Sequence, residues 1–473
     1  MTFEPPIPRA LWDSVPSAPQ AALILAFQQY QQRIDALESR VRELEERLGQ
    51  NSTNSSKPPS SDGPAVKRRP PQPRGQRPKG GQTGHPRHTR PLLPPDHTEH
   101  LRPTECRRCR HALGGDDPRP LVHQVLELPP LRPVVTEYRR HRLRCPHCHT
   151  TTCAALPPDV AGATCGPRLQ AAVALLTGAC RLSKRTASWV CHNLLGVPLS
   201  PAEVCGIERQ VTQALAPAVA AARGHVQAQP ANVDETSWRE GKKKGWVWAA
   251  VTASVTVFLI RLSRGAAALR ELLGAEHDRV VTSDRFTTYE VLPLQRRQVC
   301  WAHLRRDFQA MIDRRGAGVR VGENLLLLSD AIFHDWHRVR DGTLLRPTFA
   351  FRAERWYRPD VRVALAEGAA CGCAKTAATC RELLAMEPAL WTFARSAGVE
   401  PTNNAAERAL RGPVLWRKGS YGTDSAAGSR FVESMLTAVA SCQQQGRDVL
   451  AFVMACCEAL RHNTAYPSLI PES

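Results

Sequence analysis

No stretch of this 473-residue chain approaches the roughly 18 continuous apolar residues that a membrane span requires, so a membrane partner is not expected. The opening residues, "MTFEPPIPRALWDSVP", lack the basic-then-apolar layout of a signal peptide, and the expectation is a soluble, cytoplasmic protein. Without an export signal, sixteen cysteines are poor candidates for a disulfide framework, because the cytosol keeps thiols reduced; they are read as core residues or metal ligands. Acid is the scarce charge. Asp and Glu number 44 against 63 Lys and Arg, for a formal net charge of +19. Such a balance points to a polyanion, with nucleic acid ahead of an anionic membrane surface. The length exceeds what one core supports and implies two to four domains.

The N-terminal half is built of contrasting segments. Leu23, Phe27, Tyr30, Ile34, Leu37, Val41, Leu44 and Leu48 are spaced alternately by four and three, a heptad ladder that Gly49 stops. It reads as a coiled coil over 1–50 through which the chain self-associates, although a helix packed on the body would show the same seam. Residues 51–95 are rich in Pro, Gly, Lys and Arg with a single acid, Asp62. They read as a disordered basic linker, lying on phosphates or acting as a plain tether. In 96–158, "CRRC" (Cys106, Cys109) and "CPHC" (Cys145, Cys148) flank an apparently β-rich stretch. Two such knuckles can place four thiolates tetrahedrally around a structural zinc, with His111, His147 or His149 as substitutes for one cysteine. Residues 159–228 are helical in pattern. Gly196 stops one helix, and Ser200, Pro201 and Glu203 open the next as cap, first position and capping-box acid. The pair is either a DNA-reading helix-turn-helix or two ordinary packed helices.

After Pro230 the texture changes to β-branched and aromatic runs, "ANVDETSW", "GWVWAAVTAS" and "VTVFLIRLS", followed by alternating helix and strand. This suggests a mixed α/β sheet, with chemistry at the carboxyl ends of the strands. Asp234 is placed at the end of the first strand and Asp284 at the end of the fourth. If those strands are neighbours, the two carboxylates repel unless cations sit between them, and magnesium is the natural ion. Glu407, in "EPTNNAAERALR", is the candidate third ligand. Its plainer reading is a capping box with Asn404 as N-cap, supported by a helix pair with Arg411. His303, Arg305 and Arg306 in "CWAHLRRDF" are candidates to contact phosphates or position the scissile group, and Arg408, Arg411, Arg417 and Lys418 beside the glutamate are candidates for phosphate contact; the plainer reading of the arginines and of that basic run is a solvated face, and Trp301 reads as core.

The motifs "VDETSW", "TSDRFTTYE", "CWAHLRRDF" and "PTNNAAERALRGPVLWRKGSYGTDSAAGSRFVESMLTA" resemble the catalytic motifs of transposases of the insertion sequence 66 family. The heptads, "NSSKPPSSD", the paired knuckles and "CGPRLQA" resemble its N-terminal half in the same order. The resemblance spans nearly the whole chain and departs from the family pattern at "RKGSYGT". It implies an RNase H-like catalytic domain over 229–440, with a helical insertion over about 316–395 and a helical tail at 441–473. It also implies a DDE triad of Asp234, Asp284 and Glu407, and two-metal phosphoryl transfer with Mg2+ or Mn2+ at the element's ends. The implied partners are DNA, further copies of the chain and accessory element-encoded proteins, with the bacterial nucleoid as the place of action. Two rivals stand beside it: a non-catalytic zinc-dependent DNA-binding protein or decayed copy, and an RNase H-like nuclease that cuts without joining.

Overall fold

The computed structural model describes residues 8–51, 55, 90–160, 162 and 164–471. Most of the expected basic linker lies outside the described residues. The chain divides into two compact units, one of Met1–Arg69, Pro157–Leu182 and Cys205–Ser473, the other of Pro70–Leu156 and Ser183–Val204.

The second unit holds the cysteine knuckles and a small hairpin, β1 (Arg142–Arg144) with β2 (Thr151–Cys153). The expected β-rich stretch between the knuckles is a correction: residues 121–141 form no strand. Pro129, Pro130 and Pro133 remove ladder donors there, and Leu121, Val125 and Leu128 remain exposed without a sheet to bury them. In the same unit Gly196, at φ 66°, ends the helix Lys184–Leu195. Ser200 and Glu203 then form the expected capping box: the Ser200 N–H donates to Glu203 (2.8 Å) and the Glu203 N–H donates to Ser200 Oγ (3.2 Å).

The heptad ladder lies on a single helix, Ser17–Gly49, whose Leu23, Tyr30, Ile34, Leu37, Val41 and Leu48 are exposed.

The first unit centres on five strands: β3 (Ala231–Glu240), β4 (Lys243–Val251), β5 (Thr256–Arg261), β6 (Val281–Ser283) and β7 (Arg297–Val299). Their order is β5-β4-β3-β6-β7. The first three form an antiparallel meander, while β6 runs parallel to β3 and β7 parallel to β6. β5 is buried along nearly its whole length although it is an edge strand. The helix Ala426–Gln444 covers that edge. Ser441 Oγ accepts from Thr256 N–H (3.1 Å), Thr437 Oγ1 from Phe258 N–H (3.0 Å), and Glu433 Oε1 from Ile260 N–H. Four helical residues rise about 6 Å and two strand residues about 6.6 Å, so side chains at every fourth helix position meet every second strand amide. The donors an edge strand would otherwise expose are thereby filled. This helix runs through residue 440, where the sequence reading put the end of the catalytic domain.

Between β7 and Asn404 the chain is helical, with major helices Trp301–Asp313, Val319–Arg340, Arg358–Ala369 and Ala374–Ala385. Trp301 is fully buried, as expected of core, with its ring 5.3 Å from that of Trp391. Trp336, Phe349 and Phe393 pack at 5.2–5.6 Å in the same cluster.

Thr437→Val keeps the shape of its side chain but strands the buried Phe258 N–H. Thermal or denaturant unfolding is expected to show a loss of about 1–3 kcal/mol; no loss would mean that the edge of β5 does not depend on the helix.

Candidate active site

Asp234 sits fourth in a ten-residue strand, not at its end as the sequence suggested, because β3 runs on to pair with β4 as far as Glu240. Asp284 immediately follows β6. The strands are neighbours, as the metal-site reading required. Ala231 pairs with Val281 and Asn232 with Thr282, so Asp234 and Asp284 each follow the last parallel pair by two residues. Asp284 Oδ1 accepts the Phe286 N–H (2.9 Å), which fixes the turn that leaves β6. Among the described residues, Asp234 Oδ1 accepts only the adjacent Glu235 N–H (3.0 Å). Burial raises the Asp234 carboxyl well above the usual range, and the negative charges of Glu235, Asp284 and Glu407 raise it further. The three acids picked out in the sequence therefore share one electrostatic neighbourhood.

Glu407 reaches that neighbourhood on the helix Asn404–Ala409, which packs against β3 and β4. The capping-box alternative fails. Asn403, not Asn404, is the N-cap and makes no side-chain cap bond, so Glu407 falls one position beyond the capping-box acid. Its Oε1 is buried without a hydrogen-bond partner. The expected pair with Arg411 is absent among the described residues, and Glu407 faces His303 Nδ1 at 3.5 Å and Arg306 at 3.8 Å. Cys300 Sγ, His303 and Glu407 offer ligand atoms that all lie within 4.8 Å of one another. Burial, then the Arg306 charge, lowers the His303 pKa against the pull of Glu407 and Asp284. Burial pushes the Cys300 thiol up to about 11.

The other candidates divide. Arg408, Arg411 and Lys418 are exposed. Arg305 is engaged away from the acids, with Ser329 and Asp330 at 2.5 Å each. Arg417 anchors its helix to β3 by donating to the Ser237 carbonyl (2.7 Å) and Thr236 Oγ1 (3.2 Å). The segment "RKGSYGT" has a structural use. Tyr421 (φ 62°) closes the helix Arg411–Ser420, and Gly422 (φ 131°) lies so close to β3 that a Cβ would stand 2.2 Å from the Arg239 carbonyl oxygen. Thr423 then bonds to the end of β3, its N–H donating to Arg239 O at 2.9 Å.

Sequence reasoning missed three neighbours. Cys300 carried a usable signal, a Cys-x-x-His spacing across a helix start. Asn403, fully buried, stood in the quoted stretch but was passed over. Arg297, 1% exposed, donates to the Asp284 carbonyl (2.9 Å), and nothing in "RRQVCW" marks it as buried.

The two cysteine knuckles share one backbone design. Cys106 N–H donates to His111 O (2.8 Å) and Cys145 N–H to Thr150 O (2.9 Å); Arg110 N–H donates to Cys106 O and His149 N–H to Cys145 O. Arg110 (φ 62°) and His149 (φ 61°) take the same left-handed position after each second cysteine. Hydrogen bonding from Thr150, side chain first, draws the Cys148 thiol down to about 7, and backbone donors of Cys109 and Arg108 lower Cys106. Each knuckle pairs its own thiols; the four do not form one group with all ligand atoms within 4.8 Å. Four cysteines in two like turns are a donor set that suits zinc.

Carboxylates gathered on a mixed sheet, exposed arginines beside them and paired cysteine knuckles ahead of them are the equipment of an enzyme that works on DNA. Residues 163–430, more than half the chain, match the family described as "Transposase IS66 family". Residues 103–149 match the zinc-finger binding domain of transposase IS66, and residues 8–91 a family of unknown function. No curated protein matches the chain. The chain belongs to the IS66 family of transposases.

Two outcomes follow. The raised Asp234 pKa means that the folded state binds more protons than the unfolded one, so stability falls as pH rises from the ordinary carboxyl value through the raised one. Asp234→Asn, zinc-loaded and without added magnesium, is expected to melt above the parent at about pH 7 and to lose less stability from about pH 5 upward; a lower Tm throughout would contradict the electrostatic account. Cys145→Ser is expected to remove zinc from the purified protein by elemental analysis, and undiminished zinc would displace the site from the knuckles.

Proposed function

We propose that this transposase cleaves the ends of an insertion sequence and joins them to target DNA by two-metal phosphoryl transfer, with Asp234, Asp284 and Glu407 as the DDE triad. The observation that carries the proposal is the buried Glu407 Oε1, which accepts no hydrogen bond, in a place where Asp234 already feels the charges of Asp284 and Glu407. Carboxylates that close together need a compensating cation, and the hard oxygen donors suit Mg2+ or Mn2+. The strand order, an antiparallel meander followed by two parallel strands, supports an RNase H-like reading of the domain.

Bound divalent cations supply a nucleophile of lowered pKa and stabilise the leaving oxygen. The residues do the rest. Asp234, on the central strand, would hold the ions together with Asp284 and Glu407. Arg408, Arg411 and Lys418 offer exposed cations for the DNA backbone, and Arg306 lies closer to the acids. Water is the nucleophile that nicks the element's end; the freed 3′-hydroxyl is the nucleophile that attacks the target phosphodiester, its oxygen replacing the departing 3′-oxygen. No covalent protein intermediate is needed. The exposed heptad seam of Ser17–Gly49 supports pairing with a second copy of the chain, which would bring two element ends together.

The test is nicking and joining on a plasmid carrying the DNA that flanks the gene, in Mg2+ or Mn2+. Asp284→Asn and Glu407→Gln are expected to melt no lower than the parent in the absence of added divalent metal and lose both steps by about a hundredfold or more, since each removes a hard ligand. Normal cleavage by Glu407→Gln would remove that residue from the triad. Cleavage by the parent without joining would make the protein a nuclease.

A further inference from the structure

The sequence offered His303 for phosphate contact or for positioning the scissile group, and its surroundings suggest a further use. Among the described residues ten buried side-chain nitrogen and oxygen atoms lack a hydrogen-bond partner, and four of them belong to His303, Asn403 and Glu407. These residues are tied together through Cys300 and the backbone. The Asn403 N–H donates to Cys300 Sγ (3.3 Å), and the Glu407 N–H donates to the Asn403 carbonyl (3.1 Å). Native interiors satisfy nearly all such atoms, so a concentration of orphans marks the place of a missing ligand.

His303 Nδ1 and Glu407 Oε1 are 3.5 Å apart yet make no hydrogen bond. Two adjacent ligands on one octahedral ion at about 2.1 Å stand about 3 Å from each other, so a small inward movement would put both atoms on a single cation. Cys300 is a weaker claimant. Its buried sulfur already accepts an N–H, and a hard cation prefers oxygen and nitrogen donors to a thiol.

Resting on the reading of the acidic site given above, we propose that His303 is a metal ligand, its Nδ1 joining the Glu407 carboxylate on the same divalent cation. The site is then three carboxylates and one imidazole. An imidazole donor tilts a site away from Mg2+, which keeps to oxygen, and toward Mn2+. The arrangement also accounts for His303 Nδ1 and Glu407 Oε1 lying close together without a hydrogen bond: each is the other's neighbour in a coordination shell.

The experiment is electron spin-echo spectroscopy of Mn2+ bound to the zinc-loaded full-length protein, with and without 15N-histidine labelling. Melting temperatures of every variant are measured alongside. A coordinated histidine nitrogen is expected in the parent, responding to the label and lost in His303→Gln and His303→Asn, while Glu407→Gln loses the Mn2+ itself. Mn2+ binding that needs Glu407 but shows no nitrogen coupling, or a coupling that survives both His303 variants, would overturn the assignment and leave the acidic site standing. Absence of Glu407-dependent Mn2+ binding would overturn the acidic site as well.

Discussion

Like charges crowded at the middle of a sheet are what the rest of this structure has to accommodate. Asp234, Asp284 and Glu407 come from a strand, a turn and a helix that are far apart in the chain, and burial magnifies their repulsion. The fold holds them by spending its stabilising contacts around them. Arg297 lies buried beside Asp284, and the Asx turn at Phe286 stiffens the exit of β6. Arg417 and Thr423 fasten the segment after Glu407 to β3. Arg264 and Tyr289 hold Glu235, the acid next to Asp234, on the buried side of the strand, with Arg264 at 2.6 Å. Cations of the chain itself, Arg264 on Glu235 and Arg306 near Glu407, meet part of that charge, and Asp234 has none of them as a direct partner among the described residues.

The helical stretch between β7 and Asn404 contributes from both ends. Its first helix begins at Trp301, whose N–H donates to the Pro401 carbonyl (2.9 Å), while the Asn403 N–H donates to Cys300 Sγ. The chain leaves the sheet and returns to it at one point, so His303 and Glu407 face each other although a hundred-odd residues separate them. Trp301 also donates its indole N–H to the Leu390 carbonyl (2.8 Å), and Trp336 donates to Glu400 (3.0 Å), so the aromatic core of this helical stretch holds the segment that leads into the helix of Glu407.

How much of this was legible depended on whether a feature is local. The capping box at Ser200, the stop at Gly196 and the buried Trp301 follow from short-range rules, and the structure has all three. The acids were visible as acids after apolar runs, but the place of Asp234 within its strand was not, since the length of β3 is set by its pairing with β4. The capping box assigned to Glu407 failed by one residue because Asn403 and Asn404 are equally good caps on paper and packing chose between them. The supposed strands between the knuckles had β-branched residues but prolines at the wrong places and no partner. The partners of Arg305 and Arg417 lie 24 and about 180 residues away, beyond any local pattern.

The hydroxyls of Thr437 and Ser441 and the carboxylate of Glu433 serve β5 as a neighbouring strand would, yet they stand on a helix that follows Glu407 in the chain. Order of synthesis gives this a temporal meaning. A nascent chain still lacking residues 426–444 has already made Asp234, Asp284 and Glu407, but the edge of its sheet is bare. The three acids therefore acquire a finished scaffold only after they have all been translated. A message cut short between the glutamate and this helix encodes every expected ligand of the metal site without the edge that seals their sheet.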